Sequence, residues 1–164
     1  MTTIERALDS NRTAIESLLV ASGLPLDGLE IALPTFFVAR DDGSVVGCAG
    51  FERYGPAGLL RSVCVAPELR GTGVGRELVD AAEQLAVSVG VSELFLLTET
   101  AEAWFPRLGY APAARTSVPA SLTSSPEFTS VCPDTAAVLR KTLRPSLVAA
   151  AVPRDDGMST PAAE

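Results

Sequence analysis

Apolar residues recur along this chain with two different periods, and the change of period divides it. Thr2–Ala7 alternates weakly and predicts a first strand. Ser10 can then cap a helix from Asn11 to about Ser22, with Ile15, Leu18, Leu19 and Val20 on its apolar side. Gly23 and Pro25 end that helix, and a short helical turn follows near Leu26–Ile31. Three strand-like runs come next: Thr35–Arg40, Val45–Tyr54 and Leu59–Val65. They are separated by the turn-forming stretches Asp41-Asp42-Gly43-Ser44 and Gly55-Pro56-Ala57. Connections this short make the neighbours antiparallel, so the section reads as a meander.

The period changes after Pro67. Val74, Leu78, Val79, Ala82, Leu85, Ala86 and Val89 form a helical stripe, with Arg76, Asp80, Glu83 and Gln84 on the other side and Gly90 as a stop. The compact apolar run Glu93–Leu97 follows. Strand, helix and strand at this spacing predict one βαβ crossover with parallel strands. A short helix over Ala101–Leu108 and a strand from Tyr110 come next. Ser117–Pro133, rich in Ser, Thr and Pro, predicts a loop with at most one helical turn, and Thr135–Leu143 predicts a last strand. From Ser146 to Glu164 no period survives. The expectation is one domain over residues 1–145 and a disordered tail over 146–164.

Composition narrows the chemistry. The 164 residues carry 20 acidic against 13 basic side chains, a formal charge of -7, which leaves no basic field for nucleic acid or an anionic membrane. Histidine is absent, so no Ser-His-Asp triad, Cys-His dyad or imidazole metal ligand can be built. Cys48, Cys64 and Cys132 are odd in number and widely spaced, unlike a disulfide framework or a CxxC zinc site, and no metal is expected. The N-terminus lacks a basic segment followed by an apolar run, which predicts no signal peptide and a cytoplasmic protein.

The segment Val63-Cys64-Val65-Ala66-Pro67-Glu68-Leu69-Arg70-Gly71-Thr72-Gly73-Val74-Gly75-Arg76 carries the clearest chemistry. Three alternate glycines lie between a strand and an amphipathic helix. Glycine admits a ligand close to the main chain, and the helix start offers unpaired N–H groups and partial positive charge. Arg70 and Arg76 flank this anion site. A Walker loop fails for want of lysine, and GxGxxG fails because Arg76 stands where the third glycine belongs.

Arg-x-x-Gly-x-Gly at Arg70, Gly73 and Gly75 resembles the pyrophosphate loop of the GCN5-related N-acetyltransferase (GNAT) superfamily. Trp104-Phe105-Pro106-Arg107-Leu108-Gly109-Tyr110 resembles that family's late helix-to-strand signature. The resemblance implies an α/β (α+β) fold: a mixed, mostly antiparallel sheet of about seven strands flanked by helices, with the one parallel crossover. It also implies that Leu59–Val65 and Glu93–Leu97 splay apart to admit acetyl-CoA. Main-chain groups of Val63 and Val65 would then meet the pantetheine. N–H groups from Gly71 through Thr72, Gly73, Val74, Gly75 and Arg76 would cradle the pyrophosphate, and those near Val63–Cys64 would stabilise an oxyanion. The implied reaction is direct attack of an amine on the thioester in a ternary complex, without an acyl-enzyme.

One departure stands out. Phe105 occupies the position where many members place a tyrosine that protonates the departing thiolate, and Tyr54 and Tyr110 stand elsewhere. Glu52 and Glu99 are the candidate general bases, and Arg61 and Ser62 the candidate acceptor-binding residues. The expected acceptor is a small amine or amino-acid-like molecule, and the expected state a monomer or homodimer. The alternative is a noncatalytic acyl-CoA-binding regulatory module. A tight hairpin at Gly55-Pro56-Ala57 places Cys48 opposite Cys64. Gly50-Phe51-Glu52-Arg53-Tyr54-Gly55, Leu60-Arg61-Ser62 and Ser130-Val131-Cys132-Pro133 are also similar to GNAT proteins encoded among arsenic-resistance genes, which implies an arsenic-detoxification context and identifies no acceptor.

Overall fold

A computed structural model of the chain describes residues 1–128 and 135–144. Seven strands form one sheet: β1 (Thr2–Arg6), β2 (Phe36–Asp41), β3 (Ser44–Tyr54), β4 (Ala57–Val65), β5 (Glu93–Thr98), β6 (Ala111–Pro112) and β7 (Ala137–Thr142). They lie in the order β1-β2-β3-β4-β5-β7-β6, and β4–β5 is the one parallel pair. The helices are α1 (Arg12–Ala21), α2 (Leu29–Ala32), α3 (Val74–Ser88) and α4 (Ala120–Thr123). Among the described residues, no helix is long and apolar enough to cross a membrane.

The two hydrophobic periods bury the two faces of this sheet. Val79, Ala82 and Ala86 of α3 pack with Phe51, Leu60, Leu94 and Leu96 on one side. Ile15 and Leu19 of α1 and Leu29 of α2 cover Phe36, Val38, Cys48 and Cys64 on the other. A third cluster joins Leu59 and Phe95 to Leu122 of α4. Gly50 is required by this packing, because a Cβ there would lie 2.0 Å from Phe36 Cδ1.

Three local expectations are corrected. Ser10 does not cap α1: a 3-10 turn over Asp9–Asn11 precedes the helix, and buried Asn11 accepts the Leu8 N–H instead (2.7 Å). The expected helix over Ala101–Leu108 is a turn followed by a 3-10 segment, Phe105–Leu108. Pro106 supplies no N–H there, and Gly109 turns the chain left-handed at φ +99°. The strand from Tyr110 is only two residues long, ending at Pro112, which cannot donate to a ladder. Cys132 and the tail over 146–164 lie outside the described residues.

Candidate active site

The parallel pair holds for three residues only: Ala57, Gly58 and Leu59 against Glu93, Leu94 and Phe95. Beyond them β4 stays with β3 as far as Val65, while β5 stays with β7 as far as Thr98. Each strand keeps its antiparallel partner, and the two part between Leu60–Val65 and Leu96–Thr98. A cleft of about 660 Å³ opens there, lined also by the Ser22–Pro25 loop, Glu99, Phe105 and Glu127.

A bulge shapes the β4 wall. The turn sets Tyr54 opposite Ala57, a register that would bring Cys48 to Val63. Between Cys48 and Gly50 the pairing slips by one, leaving Ala49 to face Ser62 and Val63 together. Ser62 takes φ +59°, and Cys48 thereby meets Cys64. The expected cysteine pairing is present, produced by a bulge and not by the turn alone. Both thiols are free; Cys48 Sγ donates to the Ser62 carbonyl (3.2 Å), and Cys64 Sγ lies 2.9 Å from Ser22 Oγ. Burial pushes the Cys48 thiol far above its ordinary range.

A second cavity of about 540 Å³ continues past Val65 to the glycine loop. Gly71 and Gly73 take φ +82° and +96°, and an added Cβ at either would meet nothing within 4 Å. The cradle is open, and only backbone conformation demands glycine there. The first helical bond of α3 runs from the Glu77 N–H to the Gly73 carbonyl (3.1 Å), so the N–H groups of Val74, Gly75 and Arg76 precede the ladder. At Gly75 a Cβ would lie 3.1 Å from Trp104, whose indole forms the opposite wall. Arg70 Nε donates to the Val65 carbonyl (3.0 Å) and Arg76 Nη2 to the Arg107 carbonyl (3.1 Å), which hold both guanidinium groups beside the loop. These features fit a diphosphate: backbone donors, a helix start and two cations around an open bend.

At the other end of the cleft lies a polar cluster. The Arg61 side chain is fully buried. Its Nη1 donates to Glu52 Oε2 at 2.6 Å, its Nε donates to Ser62 Oγ at 3.1 Å, and Nε lies 3.5 Å from Glu127 Oε2. Tyr54 and Ser125 hydroxyls donate to Glu52 Oε1 at 2.6 and 2.7 Å, so both Glu52 oxygens are engaged. Gly28 at φ +78° lays its backbone over this group, where a Cβ would stand 3.2 Å from Arg61 Nη1. Arg61 Nη2 is buried without a hydrogen-bond partner among the described residues. Burial pushes the Glu127 carboxyl up, opposed by Arg61 and assisted by Glu52 and Asp27.

The sequence-derived residues therefore divide. Val63, Cys64, Val65, Arg70, Gly71, Gly73, Gly75 and Arg76 line one continuous groove with Arg61, Ser62 and Glu99. Thr72 and Val74 belong to the same bend, where Thr72 Oγ1 donates to the Leu69 carbonyl and Val74 is buried as the first residue of α3. Glu52 is absent from the cleft wall and reaches it through Arg61. Phe105 lines the cleft, packed edge-on against Trp104 and Tyr110. Neither tyrosine lines the cleft: Tyr54 donates to Glu52, and Tyr110 donates to Glu83 (2.9 Å) while burial pushes its phenol up. Glu127 was invisible in the sequence, lying in a Ser/Pro-rich stretch with no periodic signal.

Comparison with known proteins agrees with this geometry. Residues 33–112 match the profile of the acetyltransferase (GNAT) domain. An amino-acid acetyltransferase of Ralstonia nicotianae is 37% identical over 93 residues, 56% of this chain and 21% of the relative. An uncharacterized N-acetyltransferase of Chlorobaculum tepidum is 41% identical over 76 residues, 46% of this chain and 48% of the relative. The chain thus spans from about a fifth to about half the length of these relatives. In fold it is similar to N-acetylglutamate synthase from Neisseria gonorrhoeae complexed with coenzyme A and N-acetyl-glutamate. That similarity has a TM-score of 0.76 at 21% identity, over 88% of this chain and 36% of that one. It is also similar to Rv2747 of Mycobacterium tuberculosis in complex with CoA, with a TM-score of 0.73 at 26% identity, over 87% and 99% of the two chains.

Proposed function

We propose that this protein is an acetyl-CoA-dependent N-acetyltransferase that moves the acetyl group to the amine of a small amino-acid-like acceptor. One observation carries the reading: the parted strands β4 and β5 form a groove running from an open glycine bend to a buried polar cluster. The amino-acid acetyltransferase relatives support the acceptor class. The N–H groups from Gly71 to Arg76, with Arg70 and Arg76, take the diphosphate; the main chain of Val63 and Val65 takes the pantetheine. The bulge at Ser62–Val63 frees main-chain N–H groups near Cys64 for the oxyanion.

At the acceptor end Arg61 and Ser62 provide the polar recognition. Nη2 of Arg61, buried and without a hydrogen-bond partner among the described residues, meets an acceptor carboxylate only once the side chains covering it move aside, and the anionic oxygen then offsets the cost of the unpaired donor. Glu52, with both oxygens engaged, orients Arg61. Glu99, exposed at the mouth, passes protons to solvent. Holding amine and thioester together supplies the rate, and no covalent intermediate forms. The setting we propose is cytoplasmic, without nucleic acid or membrane, for a monomer or homodimer. An arsenic-detoxification context rests on sequence resemblance alone.

Phe105, which brings no hydroxyl to the cleft, favours a second reading: a noncatalytic acyl-CoA-binding regulatory module. Thiol release from acetyl-CoA against a panel of amino acids and simple amines separates the two. Turnover that tracks one acceptor class supports the transferase; tight acetyl-CoA binding without turnover on any acceptor supports the module.

A further inference from the structure

We propose that Glu127 takes the proton from the acceptor's ammonium group. This inference rests on the transferase reading. Glu127 lines the cleft beside the β4 bulge, yet its side chain is only 6% exposed, so a proton placed there is shielded from bulk water. Arg61 fixes the carboxylate through its Nε, while Glu52 binds the far side of the same guanidinium. Among the described residues, Arg61 on β4, Glu52 on β3 and Asp27 before α2 act on the Glu127 carboxyl, Ser125 accepts its backbone N–H, and Glu99 lines the same cleft. The surrounding carboxylates favour an incoming cation, and burial, which raises the proton affinity of Glu127, suits a group that accepts a proton.

The step balances without a further reagent. The ammonium gives one proton to the Glu127 carboxylate, and the freed nitrogen lone pair forms the C–N bond as the carbonyl pair moves to oxygen. When the oxyanion collapses the C–S bond breaks, its electron pair leaves on sulfur, and the second nitrogen proton goes to that thiolate. The proton on Glu127 then leaves to solvent.

The test compares Glu127→Gln and Glu127→Asp with the wild type, measuring kcat/KM against pH with an amino-acid acceptor. The wild type should show an acid limb above the ordinary carboxylate range. Glu127→Gln should lose that limb and fall about 100-fold or more near neutrality. Its rate should recover with rising pH as the free amine accumulates, with acetyl-CoA affinity unchanged. Glu127→Asp should keep the limb at reduced rate. An acceptor whose amine is already neutral at the assay pH should escape most of the loss. Burial raises the folded carboxyl, so its stability contribution is present at low pH and is lost as pH rises through the raised pKa. The melting temperature of the Gln variant should therefore rise relative to wild type as pH increases through the raised pKa. An unchanged pH profile in Glu127→Gln overturns the proposal and leaves the transferase reading intact. Absence of transfer by the wild type to any amine overturns both.

Discussion

Arg61 is the residue on which most of the buried polar cluster depends. Its guanidinium touches Glu52, Ser62 and Glu127 while wholly excluded from solvent. Removing one member of a buried ion pair leaves uncompensated charge, which costs more than the pair contributes. Arg61→Met should therefore lower unfolding free energy by about 3–5 kcal/mol in denaturant titration. A loss under about 1 kcal/mol would mean that the two carboxylates relax to water. At the cofactor end the demand is conformational. Gly73 has open space around it but φ +96°, which a β-branched side chain does not adopt. Gly73→Val should abolish acetyl-CoA binding in titration calorimetry while the circular dichroism spectrum is kept; unchanged affinity would refute the loop assignment.

Among elements, the two central hairpin strands do most of the positioning. The β3–β4 bulge sets the cleft wall, and Gly50 allows Phe36 to lie flat over β3. A methyl at Gly50 would stand 2.0 Å from the Phe36 ring, and a close-packed sheet face has no room to absorb it. Gly50→Ala should cost about 1–3 kcal/mol by thermal or chemical unfolding, with strand β2 shifting outward. A neutral result would show that Phe36 rotates away freely. This element scale is where sequence reading succeeded and where it began to fail. The alternation of β3 and the stripe of α3 are local periods, so their spans were legible to within one or two residues. The bulge was not, because nothing in Ala49, Ser62 or Val63 distinguishes a slipped register from a regular one.

For the whole molecule, stability and binding are coupled, because the groove exists only when the sheet is folded. A ligand that binds only the folded chain raises stability by mass action. At acetyl-CoA one hundred times its dissociation constant the gain should be about 2.7 kcal/mol, read as a rise in melting temperature. No shift at saturating acetyl-CoA would mean that the groove does not take it. The sequence by itself determined the order of elements, the parallel crossover and the glycine bend, since each is written in neighbouring residues by period, turn chemistry or missing side chains. Tertiary structure alone decided where the strands part and which charges meet there. Ser125 and Glu52 bond across 73 positions, and Glu127 meets Arg61 on a segment that follows α4, whose Leu122 packs against Leu59 and Phe95. Contacts of that range depend on how whole elements pack, and no local pattern encodes them.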